Sequence, residues 1–63
     1  MNVRRLRKER GLTQEALAGE CGLDTRHVGR IERGQTNPTV ELLGRLGAAL
    51  GVHPREFLID QEN

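Results

Sequence analysis

Arg26, Arg30 and Arg33 recur at intervals of four and three residues in the segment that follows Asp24. At ~100° per residue around a helix axis, Arg26, Gly29, Arg30 and Arg33 share one side, Val28 and Ile31 the other, and Thr25 and Glu32 lie at the edges. Arginine carries a planar fork of N–H donors that can give two hydrogen bonds to the O6 and N7 of a guanine. Threonine adds a hydroxyl and a methyl. A helix with its apolar residues inward and three arginines outward suits a polyanion. Any one of these arginines alone is explained by solvation; it is the three on one face that favour a nucleic-acid surface.

That face must be held in place by what surrounds it. Asp24 is a good N-cap, because its carboxylate can accept a first-turn backbone N–H. Leu23 and Val28 are spaced as a hydrophobic staple, and Gly34 ends the helix. Just upstream, Thr13 caps a second helix, Glu15 sits near the positive end of its dipole, and Leu12 and Leu17 form its staple. Leu17 and Cys21 face inward, Ala18 is small enough for a close crossing, and Gly22 fits a turn of positive φ. Residues 14–33 therefore read as two short helices joined by a tight turn.

The rest of the chain reads as support. The sequence predicts a first helix over Val3–Arg10, capped by Asn2, with Val3 and Leu6 inward, Gly11 at its end and Leu12 folding back on Leu6. Arg4, Arg5, Lys8 and Glu9 form a solvated face, but Arg7 turns to the core. A polar turn, Gln35-Thr36-Asn37-Pro38, leads to Thr39, the cap of a fourth helix reaching Leu50. Val40, Leu43, Leu46 and Leu50 form its stripe, widened by Leu42 and Ala49. Gly44 and Gly47 each cost ~1 kcal/mol relative to alanine in a helix interior, and close packing is the expected reason. Gly51 closes this helix. Pro54 and Glu56 open a fifth, His53 acts as a weak cap, and Val52 and Phe57 form its staple. Phe57, the sole aromatic residue, belongs to the core. Leu58 and Ile59 follow it directly, and three consecutive apolar residues cannot all face one small core; the excess is expected at a dimer interface. Residues 60–63 read as a frayed tail or the start of a linker.

Composition narrows the function classes. At 63 residues the chain is one domain, 1–63, with residues 14–33 at its centre. Such a chain buries only ~60% of its unfolded surface and depends on efficient helix packing or dimerisation. The single cysteine excludes an internal disulfide. With no leader-like segment and no long apolar run, the expected location is a reducing cytoplasm with no membrane contact. Residues 1–33 hold eight Arg/Lys against five Asp/Glu, a net +3, whereas residues 34–63 are at −2. The basic half contains the arginine face, as a nucleic-acid footprint requires. There is no serine, no nucleophile–base pair, no phosphate-binding glycine loop and no carboxylate dyad, so an enzyme is not expected. Cys21, Asp24 and His27 are spaced like metal ligands, but core cysteine, helix cap and surface histidine explain them, and neither metal nor cofactor is expected.

The pattern Thr13-Gln14-x-x-Leu17-Ala18, Gly22-Leu23, Val28, Ile31-Glu32-x-Gly34, Asn37-Pro38 and Leu50-Gly51-Val52, with Arg7, resembles the Cro/CI-type helix-turn-helix family of lambdoid phage repressors and xenobiotic-response-element-like bacterial regulators. The resemblance runs from about Val3 to Ile59. It implies an all-α, compact five-helix, lambda-repressor-like fold with helices 2 and 3 as the helix-turn-helix. It also implies sequence-specific binding of double-stranded DNA by a homodimeric transcriptional regulator, with a repressor favoured over an activator. Helix 3 would enter the major groove, where Thr25, Arg26 and Arg30 reach base edges, including at least one guanine per half-site. Thr13, Gln14, Arg33 and the Gln35-Thr36-Asn37 turn would hold the DNA backbone, and His27 could join them. In the family the residues matching Arg7 and Glu32 form a partly buried ion pair. An alternative is an antitoxin-like protein-interaction module on the same fold, in which the apolar surface near Leu58 and Ile59 meets another protein. An additional domain or protein partner is compatible with either.

Overall fold

The structure, a computed structural model, describes residues 1–58. Among them all the regular structure is helical: α1 (Val3–Glu9), α2 (Gln14–Cys21), α3 (Thr25–Glu32), α4 (Val40–Leu50) and a closing 3₁₀ segment (Pro54–Leu58). The side-chain caps of α2, α3 and α4 lie where the sequence puts them. Thr13 Oγ1 accepts the Ala16 N–H at 3.0 Å, Asp24 Oδ1 the Arg26 N–H at 2.8 Å, and Thr39 Oγ1 the Leu42 N–H at 3.1 Å. Gly22 and Gly51 end α2 and α4 in the left-handed region, with φ of 71° and 70°. His53 Nδ1 accepts the Arg55 N–H at 3.1 Å, the weak cap expected of it.

Val3, Leu6, Leu17, Ala18, Cys21, Val28, Ile31, Leu42, Leu46, Leu50 and Phe57 form one buried cluster. All four α-helices and the 3₁₀ segment contribute to it, and α2 packs against both α3 and α4. Leu12, Leu23 and Val52, the outer members of the staples, are half-buried against the same cluster.

Several expectations need correction. Among the described residues there are four α-helices, not five: the predicted fifth is a 3₁₀ segment of five residues, Pro54–Leu58. Proline has no N–H to donate, and so short a stretch closes with tighter i→i+3 bonds, such as Glu56 N–H to His53 O at 2.9 Å. Asn2 does not cap α1 with its side chain. It ties the two ends of the chain together instead, its backbone N–H bonding Phe57 O at 3.3 Å and its amide bonding Glu56 O at 3.5 Å. Val40 is 86% exposed rather than part of the α4 stripe. The buried arc is Leu42–Leu46–Leu50, and Val40 lies ~120° around the helix from its middle.

The two glycines of α4 separate. A Cβ at Gly47 would stand 2.7 Å from the Val52 carbonyl oxygen, so glycine is required there for the chain to double back. Gly44 has no neighbour within 4 Å of such a Cβ, and close packing does not account for it.

Candidate nucleic-acid interface

The α3 helix presents the candidate surface. Val28 and Ile31 are 0% and 2% exposed, which fixes the inward edge. Arg26, Arg30 and Arg33 are exposed on the outer side, and Thr25 and His27 are half-buried at its margins. Gly29 departs from the predicted arrangement, because it is buried. The Arg33 side chain folds back over it: a Cβ at Gly29 would meet Arg33 Nη1 at 3.0 Å and Gln14 Nε2 at 3.7 Å. Gly29 therefore makes room for the two side chains that join α3 to the start of α2. Arg33 itself is the C-cap of α3.

Behind this surface lies a charged network. Arg7 Nε donates to Glu32 Oε2 at 2.6 Å and Nη2 to Oε1 at 3.2 Å. The third nitrogen, Nη1, donates to the Leu12 carbonyl at 2.7 Å. The expected ion pair is thus bidentate, and it links α1, the loop before α2 and the end of α3. Gln14 joins it, with Nε2 donating to Glu32 Oε1 at 3.0 Å. Burial pushes the Glu32 carboxyl up, but the hydrogen bonds from Arg7 and Gln14 and the Arg7 charge outweigh it and hold the group below the ordinary carboxylate range. Glu32 is therefore an anion at neutral pH.

The residues expected at the DNA backbone are partly brought together. Gln14 lies on Glu32, close to Gly29 and Arg33, and Arg33 Nε donates to Gln35 Oε1 at 3.3 Å. One line of polar side chains thus runs from the start of α2, across Gly29, to the turn after α3. Thr13 lies beside Gln14 with its hydroxyl engaged as the cap. Thr36 and Asn37 continue the turn, half-buried and exposed respectively. Leu58, expected at a dimer interface, is 72% exposed. Ile59 and the tail at 60–63 lie outside the described residues.

Three arginine roles went unread in the sequence. Arg45 Nη1 donates to the Cys21 carbonyl at 3.2 Å and Arg10 Nη1 to the Ala49 carbonyl at 3.3 Å, so each satisfies the last turn of a helix to which it does not belong. Arg26 reaches back to the Asp24 carboxylate, Nε to Oδ1 at 3.4 Å and Nη2 to Oδ2 at 3.5 Å. The spacing of Asp24 and Arg26 was the only available signal for any of the three. Cys21 is buried with Sγ 3.8 Å from the Arg45 carbonyl oxygen, and desolvation raises its thiol above the usual range, which makes it an inert core residue.

Known proteins share this fold. A family model described as helix-turn-helix matches residues 3–57. The chain belongs to the helix-turn-helix family. An uncharacterised helix-turn-helix-type transcriptional regulator from Sinorhizobium fredii is 47% identical over 57 residues, covering 90% of this chain and 74% of that protein. A hypothetical transcription factor from Neisseria meningitidis is 38% identical over 58 residues, covering 92% of this chain. The chain spans 55% of that relative's length. The crystal structure of the restriction-modification controller protein C.AhdI from Aeromonas hydrophila superposes with a TM-score of 0.84 at 45% identity, covering 87% of this chain and 83% of that one. In this chain α3, which follows α2 directly, carries the arginine face. No helix among the described residues is long and apolar enough to cross a membrane.

Proposed function

We propose that this helix-turn-helix chain reads duplex DNA sequence-specifically as a transcriptional regulator, acting as a homodimer. The observation that carries the reading is the edge of α3 with Arg26 and Arg30 exposed and Thr25 half-buried beside them, mounted on a buried apolar edge and on the Arg7–Glu32–Gln14 network. Direct readout needs donors held in register by a rigid support, and both are present. Arg26 and Arg30 are the candidates for guanine. Thr13, Gln14, Arg33, Gln35, Thr36, Asn37 and His27 form the candidate backbone-holding rim, with Gln14 and Arg33 already drawn to one place. As in the phage repressors that the sequence resembles, repression is favoured.

Size supports the dimer. An eight-residue helix is ~12 Å long and faces only a few base pairs. The described residues extend 30 Å at most, so one copy faces one half-site, and a two-fold symmetric site with half-site centres ~34 Å apart takes two. The modest net charge of residues 1–33 points the same way, since one protomer neutralises few phosphates. Leu58 offers an exposed apolar contact, and Ile59 beside it in sequence belongs to the same proposed interface. The chain acts as a single domain in the cytoplasm, standing alone or as the reading head of a longer protein.

The test is selection of binding sites from a random duplex pool at near-physiological salt. A two-fold symmetric motif with fixed half-site spacing and at least one guanine per half-site is expected. A pool without enrichment would remove the reading. The exposed Val40 and Leu58, 86% and 72%, are what favour the second reading, an antitoxin-like protein-interaction module. A stable monomer with no DNA affinity would favour it.

A further inference from the structure

Asp24 does two things at once. Its Oδ1 accepts the Arg26 backbone N–H at 2.8 Å, which caps α3. Its two oxygens also face the side edge of the Arg26 guanidinium, with Nε at 3.4 Å from Oδ1 and Nη2 at 3.5 Å from Oδ2. A guanidinium has five N–H donors in a rigid plane. The carboxylate occupies the edge formed by Nε and Nη2. It leaves free the end edge, one N–H from each Nη, and that pair has the spacing to meet guanine O6 and N7 together.

Capping alone does not require an acid here, although a negative charge at a helix N-terminus is favourable. The pair is open to solvent, the side chains 87% and 60% exposed, and such pairs contribute little to folding. Asparagine or serine would cap the helix as well. A carboxylate on a DNA-facing helix is moreover repelled by phosphates and cancels part of the basic charge that attracts them. The Arg26 N–H first, and then its guanidinium, hold the Asp24 carboxyl below the usual carboxylate range, so the negative charge is present at neutral pH. By contrast, no described carboxylate lies within ion-pair distance of Arg30.

We propose that Asp24 is a positioning residue for base reading: it holds the side edge of Arg26 so that the end edge meets a guanine, and it sets specificity at that base pair without touching a base. The proposal rests on the specific DNA reading given above. It predicts that Asp24 increases discrimination while lowering affinity for DNA in general.

The experiment is parallel binding-site selection with the unaltered chain, Arg26→Ala, Asp24→Asn and Asp24→Ser, with melting temperatures measured beside it. Both Asp24 variants keep a neutral cap and are expected to stay folded. The unaltered chain should enrich a guanine that Arg26→Ala no longer selects. Asp24→Asn and Asp24→Ser should lose preference at that same base pair, by roughly five-fold or more, while binding to random DNA holds or tightens. Retained guanine preference with uniformly tighter binding would make Asp24 a cap only and overturn the proposal. Loss of preference at a different base pair would mean that Asp24 reads a base directly, and would also overturn it. A motif unchanged by Arg26→Ala would overturn it as well, since Arg26 would then read nothing. If the unaltered chain enriches no motif at all, the specific DNA reading itself fails and takes the proposal with it.

Discussion

Arg7 and Glu32 meet across 25 residues of sequence in a bidentate ion pair, with contacts of 2.6 Å and 3.2 Å and side chains only 9% and 3% exposed. A pair so buried is costly to break, because the surviving partner keeps its desolvation penalty without its counter-charge. Glu32→Gln should destabilise the fold by about 3 kcal/mol, the low end for breaking a buried pair because the amide oxygen still accepts from Arg7. In a domain of this size that lowers Tm by more than ~10 °C. Thermal unfolding followed by circular dichroism checks it; an unchanged Tm would show that the pair contributes nothing.

The same pair predicts a pH dependence. Glu32 has its folded-state carboxyl group held below the ordinary range. The unfolded chain then binds more protons than the folded one in acid. The stability this group supplies is complete above the unfolded glutamate pKa, ~4.3, and is lost as pH falls through that value toward its lower folded pKa. Denaturant unfolding should therefore give a constant stability between neutral pH and about pH 5.5, and a decline below about pH 4. The decline should be shallower in Glu32→Gln, which lacks this carboxyl group.

Two glycines three residues apart in α4 should respond oppositely to alanine. Gly44→Ala adds a methyl to open space in a helix, and should stabilise by up to ~1 kcal/mol. Gly47→Ala gains the same helix propensity but places a Cβ 2.7 Å from the Val52 carbonyl oxygen, which is backbone and cannot swing away. It should destabilise by ~1–3 kcal/mol. Comparison of the two midpoints in urea decides it.

If Arg30 reads a base and Arg33 holds phosphate, their alanine variants should differ in kind. Arg30→Ala should cost ~1–3 kcal/mol at the selected site and relax preference at one position. Arg33→Ala should weaken binding about equally on all sequences and reduce the slope of log K against log salt by ~1. Titrations on selected and scrambled duplexes at several salt concentrations separate them.

For the proposed dimer, Leu58→Glu should shift the population to monomer in sedimentation equilibrium and reduce affinity for a two-half-site duplex much more than for a single half-site. Leu58 is 72% exposed, so the monomer fold should melt unchanged.

Local chemistry determined where the helices begin and end. Thr13, Asp24 and Thr39 accept N–H groups within three residues of themselves, and Gly22 and Gly51 turn the chain where a side chain would strain it. Such interactions are decided among near neighbours, so residue type and spacing suffice to read them. The Arg7–Glu32 partnership was legible for a different reason, the resemblance to a known family. Tertiary structure decided what the long side chains do. Gln14 settles on Glu32, Arg33 folds over Gly29, and Arg10 and Arg45 bond carbonyls 39 and 24 residues away. It also sent Val40 outward and placed Gly47 under the returning chain. A flexible side chain with several donors has no preferred acceptor until packing brings one within reach, and a helix stripe has no fixed edge until its neighbours define it.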